Sequence, residues 1–307
     1  MAQLLENSYG KERVRLTKIV RSKDSGGTKG AGWHQVYEYT VEITLYGAFD
    51  AVYTKDDNSP CVPTDTMKNT VYAVAAQTDF ATPEHLAAAV ADRLITRHDQ
   101  IEGVVVFVAA ERWQRMVVDG EPHGHSFQKA LGERTARVAR GTAPPIGPLA
   151  DGPDAGADAI EITSGFRGMQ VFKSTGSGFS GFAKDEYTIL KETDDRILAT
   201  TVRAEWGYTP GRHADDPSSE YDSIFTTCEN AVLRTFAGHE SPSLQSTLYR
   251  MGETVLAEVP QIRWIRFVMP NQHHIAFDLK PLGLDNRGEI FYGTDSPFGV
   301  ISGTVGR

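Results

Sequence analysis

The sequence predicts an α+β fold made of two similar halves, and three observations predict it. Stretches near the start alternate apolar and polar residues with the period of half-buried strands. Two stretches after them carry apolar residues at helical spacing, and the same succession returns in the second half. Antiparallel sheets with paired helices on one face satisfy all three. At 307 residues and 33.7 kDa the chain is long for one core and suits two domains of roughly 150 residues each. We place one unit at 1–140 and the second at 158–307. Between them, 141–157 holds Pro, Gly, Ala and Asp with little to bury, and reads as a linker or surface loop.

Glu12–Ser22 and His34–Ala48 alternate, and a Gly-rich turn at Ser25–Gly32 joins them as a long hairpin. Thr64–Gln77 is helical. At its start Thr64, Asp65 and Thr66 bring two hydroxyls and a carboxylate together, as a helix cap or as groups facing whatever lies beyond the helix N-terminus. Thr82-Pro83-Glu84 opens a second helix by cap, N1 proline and first-turn acid, with Leu86, Val90 and Leu94 as its stripe. Gly103–Trp113 and Arg115–Asp119 read as strands, with a turn at Asp119-Gly120. In the second half, Ala159–Ser164, Met169–Ser174 and Ile197–Tyr208 are strand-like, and Thr209–Ser219 is a polar loop. Helices follow at Tyr221–Ala237 and after Ser241-Pro242-Ser243, the latter with Leu244, Leu248, Met251, Val255 and Val259 in register. Gln261–Met269 and His273–Leu279 are strand-like. Each half thus reads strand, strand, helix, helix, strand, strand.

The formal charge of -9 argues against a general nucleic-acid binder, so an anionic small substrate would need a local cationic pocket. Cys61 and Cys228 lie far apart with no CxxC spacing, which fits a reducing compartment. The longest apolar run, Val104–Ala110, is far short of a membrane span, the start has no signal-peptide architecture, and the end has no Ser-Lys-Leu tail. The expectation is a cytoplasmic, bacterial protein. There is no GxGxxG after a strand, no P-loop and no GxSxG elbow.

Several positions could carry chemistry, each beside a plainer reading. Lys11 is a chemical group or a solvated lysine. Phe179 and Phe182, in the Gly- and Ser-rich stretch Lys173–Phe182, are loop anchors or a platform for a planar ligand. Arg196 pairs with Asp194 or Asp195, or offers its planar fork to a planar anion. In an extended strand Asn271 and His273 share a face, whereas His273 and His274 cannot. His123 and His125 share a strand face at ligand-like spacing, but no standard zinc pattern accompanies them, and no metal is assigned.

Taken together and in order, Tyr9–Lys11, Thr64–Tyr72, Lys173–Phe182, Lys191–Leu198 and Pro270–His273 resemble the urate oxidase (uricase) family over nearly the whole chain. The resemblance implies the tunnelling fold, with two ββααββ units per chain assembling into a barrel, and a homotetramer with active sites at subunit interfaces. It implies oxidation of urate by dioxygen and water to 5-hydroxyisourate and hydrogen peroxide in purine degradation, with no cofactor. By the same resemblance Lys11 and Thr64 form a proton relay that His273 completes. Phe179 stacks on the purine, Arg196 grips a carbonyl and ring edge, and Gln245 pairs with the opposite edge beside the Leu244 backbone. Asn271 marks the dioxygen or water position and Asp65 contributes from the helix start. Lys11, Thr64 and Asp65 come from one subunit and the remainder from its neighbour. A lysine of ordinary pKa is a poor base at neutral pH, so the relay calls for burial in an assembled interface. Leu244 stands where valine is common and Gln272 where lysine is often found. Two other classes on such a fold are a pterin or purine hydrolase or aldolase, which would anchor its heterocycle by a metal cluster or carboxylate, and a purine binder without catalysis, which would need none of Lys11, Thr64 and His273.

Overall fold

The computed structural model describes residues 2–21, 32–148, 160–209 and 220–307. Most of the expected Ser25–Gly32 turn, the later part of the 141–157 linker, Ala159 and nearly all of the Thr209–Ser219 loop lie outside the described residues. In chain order the elements are β1 (Tyr9–Arg21), β2 (His34–Gly47), α1 (Asp50–Thr54), α2 (Thr64–Gln77), α3 (Pro83–Arg97), β3 (Ile101–Val118), β4 (Glu121–Gly141), β5 (Ile160–Lys173), β6 (Leu198–Tyr208), α4 (Tyr221–Gly238), α5 (Leu244–Glu258), β7 (Ile262–Ala276), a single 3₁₀ turn (Lys280–Leu282) and β8 (Phe291–Gly306). In the first unit β1–β2, β2–β3 and β3–β4 pair antiparallel, and in the second β7–β8 do. The fold is α+β.

The chain divides into two compact units, one of Met1–Gly165 with Gly207–Asp222, the other of Phe166–Trp206 with Ser223–Arg307. In the first, α2 and α3 lie on the sheet. The stripe Leu86, Val90 and Leu94 is wholly buried, as its spacing predicts, on the face α3 lays against β3 and β4, whose Val104, Val106, Val108 and Val138 are buried as well. Each such side chain removed from water contributes about 1.5–3 kcal/mol. Thr82 Oγ1 accepts from the His85 N–H and Pro83 follows at N1, the expected start. Glu84 does more than complement a helix end. It is fully buried, accepts from Arg134 at 2.9 Å and from Ser164 Oγ, and the Tyr208 hydroxyl donates to Ser164 Oγ at 2.7 Å. In the second unit α5 packs on β7 and β8, and Gly252 is where its backbone comes closest: a Cβ there would meet the Val305 side chain at 2.5 Å.

Several elements differ from their sequence reading. Gly103–Trp113 and Arg115–Asp119 are one strand, β3, broken by register shifts at Glu111/Trp113 and Arg115/Val117 that disrupt its alternation. The turn at Asp119-Gly120 is present, with φ of 52° and 86°. The strand after it, β4, went unread because it is largely polar and buries few residues, among them Ala136, Val138 and Ala139. Ala159–Ser164 and Met169–Ser174 merge into β5, and Gln261–Met269 and His273–Leu279 into β7, which stops at Ala276. β8, rich in Gly and Ser, carried no strand signal, and the short α1 was also missed. The cap of α5 is Ser243, the last residue of Ser241-Pro242-Ser243, whose Oγ accepts from the Ser246 N–H at 3.1 Å.

Candidate active site

In the first unit the site residues are set by β1 and the start of α2. Gly10 lets β1 approach β2 so closely that a Cβ would meet the Ile43 carbonyl oxygen at 1.9 Å. Lys11 comes next, paired with Ile43, and the ladder then shifts register before Val14, with Arg13 at φ 56°. Such a bulge re-aims the side chains around it. Tyr9 ties this strand end to the approach of α2: its hydroxyl accepts from the Val62 N–H at 2.7 Å and donates to the Val62 carbonyl at 3.2 Å. Further along, the Tyr72 hydroxyl donates to the Arg15 carbonyl at 2.9 Å, and Lys18 Nζ to the Thr78 carbonyl at 2.7 Å.

The capping reading of Thr64 and Asp65 does not hold. The N-cap is Pro63, no side chain caps the helix, and Thr64 is an exposed first-turn residue whose hydroxyl makes no hydrogen bond among the described residues. Asp65 turns along the helix instead, accepting from Lys68 and, at 2.9 Å, from Asn69. The hydrogen bond from Lys68, then its charge, with smaller contributions from Asn69 and Lys11, hold the Asp65 carboxyl below its ordinary range. Lys11 and Asp65 are thus within electrostatic reach of each other.

In the second unit the stretch after β5 is fastened twice. Phe179 and Thr193 exchange backbone hydrogen bonds at 2.7 and 3.1 Å, and the Arg196 N–H donates to the Ser177 carbonyl at 2.6 Å. Toward α5, the Gly178 N–H donates to the Ser241 carbonyl at 2.8 Å and the Ser241 N–H to the Gly176 carbonyl at 3.0 Å. These bonds place the Arg196 guanidinium 5.1 Å from the centre of the Phe179 ring. Phe182 stacks on Phe179 at 4.9 Å with the planes 13° apart, so the loop uses Phe182 as a backing ring.

The ion pair that sequence alone offers Arg196 is not formed. Asp195 spends its carboxylate on Thr175 Oγ1 and the Gly176 N–H, and Arg196 makes no salt bridge among the described residues. Arg196 is half-buried, its Nε is buried without a partner, and burial alone pulls its pKa down. A desolvated, uncompensated guanidinium is suited to an anionic ligand. At the start of α5, Leu244 is buried and Gln245 exposed, so the first turn presents an amide side chain and free backbone N–H groups on the side tied to the Phe179 loop.

On β7, Gln272 Nε2 donates to Thr201 Oγ1 at 3.1 Å and His274 meets the Phe172 ring edge-on at 5.2 Å. By strand alternation Asn271 and His273 point to the other face. They flank a register shift on the β8 side, Asn271 pairing with Gly299 and His273 with Thr294, and their side chains make no hydrogen bonds among the described residues. His123 and His125 have ring centres 4.5 Å apart, but Arg115 donates to the carbonyls of His123 and Gly124 beside them. Among the described residues no group of three or more His, Cys, Asp or Glu is arranged to hold a metal ion, and no described helix is long and apolar enough to cross a membrane.

Sequence reasoning missed the hydroxyl seam that seats α5. Thr247 Oγ1 donates to Ser241 Oγ at 2.7 Å, and Ser241 Oγ to the Ser243 carbonyl at 3.0 Å, with Ser241 and Thr247 buried. The available signal was a buried-phase threonine inside the stripe Leu244, Leu248, Met251.

A protein-family model described as uricase matches residues 7–139 and 162–302. The uricase of Aspergillus flavus is 36% identical, over 97% of this chain and 95% of its own length. That of Arthrobacter globiformis is 35% identical, over 98% of this chain and 89% of its own. The crystal structure of the Arthrobacter globiformis uricase superposes with a TM-score of 0.85 at 34% identity, over 100% of this chain and 96% of that one.

Proposed function

The chain belongs to the uricase family, and from that premise we propose how its residues oxidise urate with dioxygen and water to 5-hydroxyisourate and hydrogen peroxide in purine degradation. The observation that carries the reading is the Arg196–Phe179 pair: an uncompensated guanidinium with a buried, unpartnered Nε, 5.1 Å from an aromatic ring. Urate is a planar anion, and this pair offers it a flat surface and a matching charge. The purine lies on the ring face of Phe179 away from Phe182. Arg196 grips one edge through parallel N–H donors, and Gln245, with the Leu244 N–H, pairs with the opposite edge.

Held flat, the urate anion gives up a second proton and becomes electron-rich enough to reduce dioxygen without a cofactor. Lys11 takes that proton, Thr64 passes it on, and His273 completes the relay. Asn271 holds dioxygen and then water, and Asp65 contributes to substrate binding from the helix start. The two electrons leave urate for dioxygen, which takes up two protons to become peroxide, while water adds its oxygen at the oxidised carbon. The free hydroxyl of Thr64 and its place at a helix N-terminus support the relay role.

Lys11, Thr64 and Asp65 belong to the first unit, and Phe179, Arg196, Leu244, Gln245, Asn271 and His273 to the second. In our reading each active site combines the first set from one subunit with the second set from another, in a homotetramer of two tunnelling-fold ββααββ units per chain closing into a barrel. In sequence we take the two ββααββ repeats as 1–140 and 158–307 about a linker at 141–157, and we place the protein's work in the cytoplasm.

The test is loss of the urate absorbance band on adding metal-stripped protein, in air and again without oxygen, with peroxide assayed alongside. Urate loss only in air, with one peroxide formed per urate, is the expected result. Binding without consumption would contradict it.

A further inference from the structure

Asp195 precedes Arg196, and both its carboxylate oxygens are engaged. One accepts from Thr175 Oγ1 at 2.8 Å and the other from the Gly176 N–H at 2.9 Å. Gly176 sits at φ +72°, a conformation that strains other residues. On the opposite strand of this loop, Thr193 Oγ1 donates to the Asp195 carbonyl at 2.7 Å. Between these fastenings lie the Arg196 N–H bond to Ser177 and the paired bonds of Phe179 with Thr193. A single carboxylate therefore binds the turn leading into the aromatic to the turn leading into the cation.

The same engagement keeps the carboxylate away from its neighbour. Arg196 has no ion pair among the described residues, and no nearby charge shifts its pKa, only burial. Had Asp195 pointed at the guanidinium, an anionic substrate would have had to displace it.

We propose that Asp195 is a positioning residue for urate binding, locking Thr175–Phe179 against Thr193–Arg196 so that the guanidinium stands beside the Phe179 ring and stays uncompensated. The proposal rests on the urate reading above. It places the effect on binding of the substrate and leaves Lys11, Thr64 and His273 untouched.

The experiment is steady-state kinetics of D195A, D195N and T175V with urate, alongside thermal unfolding. D195A is expected to raise KM about tenfold or more with kcat within about threefold of wild type. D195N keeps one acceptor oxygen and is expected to recover much of that loss. T175V removes one of the two bonds from the other side, so it raises KM by less, and adds little to D195A because the bond is already gone. An unmoved KM in D195A, or a loss of active fraction at constant KM, overturns the proposal. Should D195A fail to fold, T175V decides alone, and a wild-type KM there overturns it. Wild-type protein that consumes no urate overturns the functional reading itself, whereas wild-type consumption with an unmoved KM in the variants overturns only the role of Asp195.

Discussion

The Tyr9 hydroxyl binds both ends of one peptide residue, accepting from the Val62 N–H at 2.7 Å and donating to the Val62 carbonyl at 3.2 Å, with its ring edge-on to Phe49 at 4.9 Å. This contact joins the strand end that carries Lys11 to the segment that leads into Thr64. Burial above all raises the Tyr9 pKa, so the hydroxyl keeps its proton to donate throughout the working pH range.

Tyr9→Phe keeps the ring and removes both bonds, leaving the Val62 N–H and carbonyl short of a partner. The expected cost is about 1–3 kcal/mol in denaturant unfolding. Activity should fall further than stability explains if Lys11 and Thr64 form the proposed relay, because they lose their common brace, and it should fall in kcat with KM little changed. A variant with wild-type kcat would show that the brace serves the fold alone.

Arg196→Lys keeps the charge but loses the planar fork. We expect KM for urate to rise about 10- to 100-fold, with the stability of the protein unchanged, since Arg196 holds no ion pair to lose. Titration of urate binding by equilibrium dialysis, without oxygen, reads this directly.

Glu84 and Arg134 form a buried pair in the first unit. Burial works against the Arg134 charge, but Glu84 and Asp222 more than offset it and its pKa lies above the ordinary value. Arg134→Met strands the Glu84 carboxylate beside Ser164, and should cost about 3–5 kcal/mol in unfolding free energy. The double variant with Glu84→Gln should recover part of that loss, because the uncompensated charge is then gone.

How much of this was legible beforehand depended on whether the signal was local. Leu86, Val90 and Leu94 announced α3 by period, and Ser243 stood at the head of a clear stripe. β4 and β8 were silent because their residues are mostly polar or small, and it is their neighbours that make them strands. The five motifs singled out Lys11, Thr64, Phe179, Arg196 and Asn271 as candidates. They did not show that Thr64 leaves the capping role to Pro63, nor that Asp195 turns away from Arg196. The turning of Asp195 depends on bonds to Thr175 and Gly176, and on the pairing of Ser177 with Ser241, between segments far apart in sequence.

His239 offers a pH dependence. Burial first, then the charges of Lys173 and Arg250, hold its imidazole below the ordinary 6.5, with Glu240 opposing. The unfolded chain therefore takes up a proton that the folded chain refuses, so this contribution to stability is complete above about pH 6.5 and is lost as the pH falls below it. His239→Gln should flatten the fall in unfolding midpoint between about pH 7 and 5. An unchanged slope would place the acid sensitivity elsewhere.

The central claim is that one active site takes Lys11 from one chain and Arg196 from another, and mixing two inactive variants tests it most directly. Lys11→Met and Arg196→Gln are prepared separately, unfolded, mixed in equal amounts and refolded together. If the site is shared, roughly a quarter of the sites in the random hybrids regain both wild-type residues, and urate consumption returns in proportion. If each chain holds a whole site, every site in the mixture lacks one residue, and activity stays at the level of the separate variants.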